Sequence, residues 1–251
     1  MPEASEVQGL GKNLVTMSNA LTRAGHGLTL AEKRLIASAI SKLDSRSAFK
    51  QGYCPTVRVT ASEYAETFDI DPDTAYTQLH DSAKSLYNRS ITFYQAAFRR
   101  DGKPLEATKI QMRWVGSVKY QRGEGWVELS FWHQLTEHLL GLKKQFTSYQ
   151  LKQASALRSG YSWRLMELLM RFKTSGNASY TIEDFCAAMD ATEKQKANFA
   201  YIRRRIIEPA VAELTTKDGW DISWQPIKRG RKVVELSFDF KPQVQGDLFT
   251  S

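Results

Sequence analysis

The sequence predicts an α+β protein with two winged-helix domains in tandem, each a helix-turn-helix unit followed by a β-hairpin wing. Two observations predict it. The order strand, short helix, longer helix and hairpin occurs twice in the 251 residues, and basic clusters lie at corresponding places in the two halves. The length suits two domains of ordinary size. We interpret the two halves as a structural repeat.

Shifts in composition predict the domain boundaries. Residues 1–13 are polar and contain glycine, so we expect a flexible N-terminus, and residues 242–251 are predicted to form a flexible tail. Between them we expect a first winged-helix domain over 14–145 and a second over 146–241.

The first half begins with two predicted helices, and Thr29 with Glu32 forms a capping box at the start of the second. Asp71-Pro72-Asp73 is a turn and helix start, and Asp101-Gly102 and Gly123-Glu124-Gly125 are hairpin turns. In order, the predicted elements are helices 14–21 and 28–43, strand 57–59, helices 62–68 and 73–88, and strands 90–98, 108–120 and 125–131.

The second half repeats this order, with one long helix that Pro209 is expected to bend. In order, the predicted elements are helix 162–173, strand 180–182, helices 183–189 and 197–215, and strands 221–227 and 232–240.

The formal net charge is +8 and the pI about 9.4, which favours a polyanionic partner. The basic residues form three clusters, which are Arg203-Arg204-Arg205, Lys228 and Arg229 with Arg231 and Lys232, and Arg99 and Arg100 with Lys103.

The long helix of the second half has two faces, as a DNA-reading helix requires. On a regular helical wheel the apolar side carries Phe199, Ile202, Ile206, Ala210 and Leu214. The opposite side carries Tyr201, Arg204, Arg205 and Glu208, with Asn198 at its edge. Because Arg pairs bidentately with guanine and Asn with adenine, we expect DNA contacts from Asn198, Tyr201, Arg204 and Arg205.

Arg203 lies towards the apolar side of that wheel, and two roles remain open for it. It either extends to a DNA phosphate, or it pairs with an acid such as Glu167 inside the domain. The wing that follows carries Lys228, Arg229, Arg231 and Lys232 around one glycine, and we expect these cations to contact phosphates.

The corresponding helix of the first half presents a weaker case. Its predicted inward residues are Ala75, Leu79, Ala83 and Leu86. Its predicted DNA-facing residues are Thr74, Thr77, Gln78 and Lys84, a polar but weakly basic surface, with Arg99, Arg100 and Lys103 expected as its wing.

Five segments, taken in order and spacing, carry a family resemblance: 17–21, 28–34, 161–169, 201–214 and 227–238. Together they resemble the replication initiator (Rep) proteins of plasmids that bind iterons, the directly repeated sequences of an origin. The resemblance implies tandem winged helices, monomers that bind iterons, and dimers that repress their own promoter. It also implies action without chemistry, by origin opening and recruitment of a host initiator ATPase and a replicative helicase.

The end of the chain resembles the short peptides that dock on bacterial sliding clamps. Leu248 and Phe249 are adjacent apolar anchors, and Gln245 and Asp247 precede them. The sequence therefore predicts a clamp-binding tail.

Other function classes are disfavoured. The four histidines include no His-x-His pair for a nickase, and no phosphate-binding loop is present. Cys54 and Cys186 are predicted to be reduced thiols, too few for a zinc site. We therefore expect no enzyme activity, cofactor, metal or membrane segment, and a bacterial cytoplasmic location. A winged-helix repressor without initiator activity remains the alternative, and a recombinase or nickase is a third possibility.

Overall fold

The computed structural model describes residues 8–242, which divide into two compact units. The first unit extends to Ala156 and the second begins at Leu157, later than the boundary expected after residue 145. The reason is a strand pairing that the sequence pattern did not indicate. Strand β1 (Leu14–Ser18) pairs antiparallel with β7 (Phe146–Gln150), which ties the segment after residue 145 to the first unit.

The same pairing corrects the first predicted helix. Residues 14–21 form the strand β1 and then only a short helix, α1 (Asn19–Arg23). Val15 and Met17 are buried in the strand, and the Ser18 hydroxyl caps α1 by accepting from the Leu21 N–H. Apolar residues over so short a run fit either structure, and the distant partner β7 selects the strand.

The rest of the first unit follows the predicted order, with a three-stranded antiparallel sheet, β2-β6-β5, at its centre. Its elements are α2 (Leu30–Ser41), β2 (Thr56–Thr60), α3 (Ala61–Phe68), α4 (Pro72–Leu86), β3 (Ser90–Phe98), β4 (Pro104–Arg113), β5 (Val115–Tyr120), β6 (Trp126–Phe131) and α5 (Lys152–Ser155).

Capping side chains set where these helices begin. The predicted capping box of Thr29 and Glu32 is present in α2, and Asp71 caps α4 by accepting from the N–H groups of Asp73 and Thr74. The predicted inward residues of α4, which are Ala75, Leu79, Ala83 and Leu86, are all buried.

An ion pair between a buried carboxylate and a partly exposed arginine holds the far end of α4. The Arg89 Nε donates to both carboxylate oxygens of Glu32 in α2, at 2.9 and 3.0 Å. Burial alone would raise the pKa of the Glu32 carboxyl, but hydrogen bonds from Arg89, Ser85 and the Thr29 backbone hold it below its usual value. The carboxylate is therefore charged at neutral pH and anchors Arg89 beside α4.

The predicted strand 108–120 is in fact two strands, and this corrects the wing of the first unit. Trp114, fully buried, separates β4 from β5. Among the described strands, β3 and β4 pair with each other as a two-stranded ribbon inserted after α4, and Thr92 of β3 also forms an isolated bridge with Gly25. β5 and β6 form the hairpin of the central sheet. The wing is thus the β5–β6 hairpin, and Arg99, Arg100 and Lys103 lie at the tip of the ribbon.

The second unit is a winged helix without that insertion. Its antiparallel sheet has the order β8-β10-β9, the same arrangement as β2-β6-β5. Its elements are α6 (Gly160–Met170), β8 (Asn177–Thr181), α7 (Ile182–Ala188), α8 (Glu193–Lys196), α9 (Phe199–Ile202), α10 (Glu208–Asp218), β9 (Asp221–Arg229) and β10 (Lys232–Lys241).

A buried arginine of α6, Arg164, pairs with a carboxylate of the same helix and links α6 to α7. Arg164 Nη1 lies 3.2 Å from a carboxylate oxygen of Glu167, which is fully buried. The same guanidinium donates from Nε and Nη2 to the backbone carbonyl of Ala188, the last residue of α7. The cation therefore satisfies a helix C-terminus and a buried carboxylate together.

Three further findings concern the described residues as a whole. Both cysteines are free thiols, as predicted, Cys54 exposed and Cys186 buried. No helix in the described range is long and apolar enough to cross a membrane. Within residues 8–242, no group of three or more His, Cys, Asp or Glu side chains is placed to hold a metal ion.

The buried pair gives a stability prediction. Glu167→Leu removes a buried carboxylate that pairs with the Arg164 cation, and we expect it to lower the free energy of unfolding by about 3–5 kcal/mol. Glu193→Ala, which removes an exposed carboxylate paired with Lys196, is the matched control, with an expected loss below about 1 kcal/mol. Urea unfolding followed by circular dichroism measures both, and equal midpoints for the two variants would contradict this role of the pair.

Candidate nucleic-acid interface

The helix predicted over residues 197–215 is interrupted in the structure. α9 ends at Ile202, a π-helical turn spans Arg203–Ile207, and α10 continues from Glu208. The N–H of Glu208 donates to the carbonyl of Arg203, five residues earlier, which defines the π turn. Pro209 follows at once and has no N–H to donate.

The turn leaves an apolar face and an arginine-bearing face. Ile202, Ile206, Ile207, Ala210 and Leu214 are buried, and α10 and the π turn pack against α6. Ile207 joins this face in addition to the predicted residues, and Phe199 is only half-buried. The other face exposes the arginines of the triplet, Arg203, Arg204 and Arg205.

This geometry corrects the predicted position of Arg203. It does not lie on the buried side and does not pair with Glu167, whose carboxylate is held by Arg164. Instead its Nε donates to Oε1 of Glu208 at 2.6 Å, in an ion pair with both side chains largely exposed. The wheel assumed a regular helix, and the π turn invalidates that assumption. Its signal in the sequence was Pro209, which indicated a bend and not a change of helix type.

The two other arginines are exposed as predicted. Within residues 8–242 the side chains of Arg204 and Arg205 form no hydrogen bond or ion pair, so each guanidinium retains all its donors for an external acceptor. Tyr201 is 40% exposed, and its hydroxyl accepts a long hydrogen bond, 3.4 Å, from Gln195.

Asn198 lies at the start of this surface, as predicted, but its side chain also has a structural role. Its Oδ1 caps α9 by accepting from the Ala200 N–H at 3.0 Å. Ahead of it, Thr192 and Gln195 form a capping box that begins α8 and places Lys194, which is exposed, beside the helical segment 199–218. Lys194 is not among the residues that the sequence pattern indicated, although Thr192-x-x-Gln195 is a readable helix start.

The predicted wing of the second unit forms as expected, between β9 and β10. Arg229 pairs with Lys232 across the turn, and Gly230 has a φ of 62°, a left-handed conformation that suits glycine. Lys228, Arg229, Arg231 and Lys232 are all exposed, and none forms an ion pair within the described range. Four unneutralised cations at one hairpin tip produce a concentrated positive potential.

In the first unit, the predicted contact residues of α4 divide into two groups. Thr74, Thr77 and Lys84 are exposed, but Gln78 is half-buried and accepts from the Tyr64 hydroxyl at 3.4 Å. Lys84 Nζ lies 5.8 Å from the centre of the Tyr120 ring. Gln78 is therefore engaged inside the domain.

The start of α4 differs in charge from the approach to the helical segment 199–218 in the second unit. Asp69, Asp71 and Asp73 are exposed at the α3–α4 turn without a cation among them, whereas in the second unit Asp190 and Glu193 are accompanied by Lys194 and Lys196. Because carboxylates repel phosphates, the first unit presents a less favourable surface to a nucleic acid at this point.

The cations expected as the wing of the first unit lie on the ribbon. The Arg99 N–H donates to the Lys103 carbonyl at the tip, and Lys103 Nζ lies 3.5 Å from Asp101. The wing itself, residues 121–125, carries Arg122, which is not among the predicted contact residues. The Gly123 N–H donates to the Tyr76 hydroxyl at 2.9 Å, so α4 fixes the wing position. Arg122 beside a glycine-rich turn was the signal in the sequence.

The predicted clamp-binding residues Gln245, Asp247, Leu248 and Phe249 lie outside the described residues.

Comparison with known proteins agrees with this architecture. Residues 14–170 match the family model described as initiator replication protein, WH1, and residues 181–240 match the model described as initiator Rep protein, WH2. A replication initiation protein of Escherichia coli is 24% identical over 242 residues, covering 94% of this chain and 72% of that protein. An uncharacterised 27.6 kDa protein of Escherichia coli is 26% identical over 214 residues, covering 81% of this chain and 85% of that protein.

A solved structure, the Pi initiator protein in complex with iteron DNA, shares the fold with a TM-score of 0.72. It is 21% identical, and the match covers 93% of this chain and 99% of that chain. The WH1 match covers the first winged helix and continues through α6 of the second unit, and the WH2 match extends from the last residue of β8 into β10. Because the two family models together span most of the sequence, the chain belongs to the family of initiator replication (Rep) proteins with WH1 and WH2 domains.

Proposed function

We propose that this protein starts the replication of a plasmid by binding the iterons of its origin as a monomer. In this proposal the second unit reads the sequence of the duplex, and the first unit adds a weaker DNA contact. The bound protein helps to open the origin and recruits host replication proteins in the bacterial cytoplasm. Dimers of the same chain repress its own promoter.

The observation that carries the proposal is the exposed face of the helical segment 199–218, which we call the reading helix. On this face the Arg204 and Arg205 side chains are unpaired within the described residues, and the wing of the same unit carries four cations. Guanidinium groups on a helix suit the edges of guanine in the major groove, and a basic hairpin suits the phosphates that flank it. The Pi initiator, which has the same fold, is described in complex with iteron DNA, and this supports the same class of ligand here.

The ribbon of the first unit supports the proposal of a homodimer. Tyr94, Phe98, Leu105 and Ile110 are exposed apolar residues on β3 and β4. β4 pairs only with β3 among the described strands, so its outer edge presents backbone donors and acceptors to a second strand. A second copy of the chain would cover both the edge and the apolar side chains.

Recruitment of host proteins includes the host initiator ATPase, the replicative helicase and the sliding clamp. For the clamp, the proposal rests on residues 245–249, where an adjacent Leu-Phe pair follows a glutamine in a polar segment. No catalytic step by this chain is part of the proposal.

A replication assay tests the function as a whole. A plasmid that lacks any other origin and carries this gene with its flanking DNA is expected to transform a bacterial host and persist. The same plasmid with a stop codon early in the gene is the control. If the protein binds repeats in the flanking DNA and the plasmid still fails to replicate, the chain is a repressor and not an initiator.

The reading helix gives a mutational prediction. The double variant Arg204→Ala/Arg205→Ala is expected to bind the origin repeats at least about 30-fold more weakly, because each base contact contributes about 1–3 kcal/mol. Lys217→Ala, an exposed cation near the end of α10, should change little. Fluorescence anisotropy with a repeat duplex measures both, and unchanged binding by the double variant would show that this helix does not read the bases.

The wing predicts a different behaviour. Arg229→Ala/Arg231→Ala is expected to weaken binding to repeat and scrambled duplexes by the same factor, since phosphate contacts do not discriminate sequence. The slope of log affinity against log salt concentration should flatten by about 1 for each phosphate that the variant no longer neutralises. Lys241→Ala, at the opposite end of β10, is the control. Weaker binding to the repeat duplex alone would assign the wing to base reading instead.

The tail predicts a separable interaction. Leu248→Ala/Phe249→Ala is expected to abolish recovery of the bacterial sliding clamp in a pull-down while leaving duplex binding unchanged, because the two anchors lie outside both winged helices. Thr250→Ala serves as the control. Equal clamp recovery by the double variant and the unaltered chain would remove the clamp from the proposal.

A further inference from the structure

The π turn at Arg203–Ile207 brings together two groups that a regular helix would separate. The Glu208 N–H bonds to the Arg203 carbonyl, and the Arg203 side chain pairs with the Glu208 carboxylate at 2.6 Å. Both contacts join residues five apart. In a regular α-helix such residues point about 140° away from each other, since the helix has 3.6 residues per turn. The extra residue of the π turn makes them neighbours.

The same extra residue reorganises the buried face. Ile206 and Ile207 are adjacent in sequence, and both are fully buried. On a regular helix Arg203 lies on the apolar side, between the directions of Ile202 and Ile207. In the structure Arg203 is exposed. The turn therefore admits a second isoleucine to the core and moves an arginine out of it.

Pro209 explains why the turn forms at this place. In a continuous α-helix the residue at 209 would donate its N–H to the carbonyl of Arg205, and proline has no N–H. A proline inside a regular helix also clashes with that carbonyl and costs about 3 kcal/mol. A wider turn directly before Pro209 relieves the clash, and the burial of Ile206 with Ile207 stabilises it.

We propose that this π turn determines which bases the protein prefers, by setting the direction in which Arg204 and Arg205 project. Pro209 and Ile207 are positioning residues that hold the turn, and the Arg203–Glu208 pair closes it on the exposed side. The inference rests on the proposed role of the second unit as the reader of the duplex. It adds that the choice of bases depends on residues that do not themselves contact the DNA.

The experiment compares the base preference of the unaltered chain with that of Pro209→Ala. A residue that only stabilises the fold would not change this preference. The full chain first selects its preferred site from a random-sequence duplex library, and Pro209→Ala is put through the same selection. The variant restores an N–H at 209 and permits a regular helix. Arg204→Ala is selected in parallel. At the base positions where Arg204→Ala loses preference, we expect Pro209→Ala to lose preference or to prefer a different base. Its affinity for the original site should fall at least 10-fold, and its affinity for a scrambled duplex should stay within twofold.

A deletion keeps the inference testable if Pro209→Ala does not fold. Deleting Arg203 removes the extra residue of the π turn, so the helix on either side keeps its phase and the chain should fold. Arg203→Ala removes the same charge and its exposed ion pair but keeps the residue, so the backbone bond from the Glu208 N–H to the carbonyl at 203, which defines the turn, is retained. We expect the deletion, but not Arg203→Ala, to change the selected sequence. Deletion of Ala212, in the regular part of α10, should unfold the unit because it shifts the phase of the buried face.

The outcomes separate the two proposals. If the unaltered chain selects no sequence, the proposed function fails. If the unaltered chain selects a site, and a folded Pro209→Ala variant selects the same site with equal affinity, the π turn does not determine base preference. If deletion of Arg203 unfolds the unit as deletion of Ala212 does, the inference is also overturned. The turn would then contain no extra residue relative to a regular α-helix.

Discussion

The helical segment 199–218 of the second unit buries one side and exposes three arginines on the other, and much of that unit follows from this arrangement. Ile206, Ile207 and Leu214 are removed from water against α6, which fixes the helix on its domain. α6 in turn is tied to α7 by the Arg164–Glu167 pair and the Ala188 carbonyl. Because the buried side of the segment is fixed against α6, Arg204 and Arg205 project outward, and their side chains have no partner among the described residues.

The two units use one architecture with different electrostatics. The second exposes the arginine triplet on its long helical segment and four cations on its wing, with Lys194 on the preceding α8, whereas the first begins α4 among Asp69, Asp71 and Asp73. The second unit therefore presents the more positive surface of the two. The first unit has instead acquired the β3–β4 ribbon, whose open edge and exposed apolar side chains are suited to contact with a protein.

Several residues show why the sequence was informative about some parts of the site and not others. The wing at Lys228–Lys232 was predicted correctly because a basic, glycine-containing turn between two strands is a local pattern. The inward face of α4 was correct because helical periodicity is local as well. The wing of the first unit was assigned to the wrong hairpin, since choosing between β3–β4 and β5–β6 requires knowing which strand pairs with β2.

The sequence by itself determined the repeated order of elements, the helix caps, the charge clusters and hence the class of fold and of partner. These depend on periodicity and on interactions between residues a few positions apart. Only the tertiary structure decided that residues 14–18 form a strand, where the first unit ends, and which way Arg203 points. Each of these depends on a partner that no local pattern specifies: β7 for β1, and a core that accepts Ile206 and Ile207 together in a π turn. Burial and long-range pairing overrode the local preference at all three places.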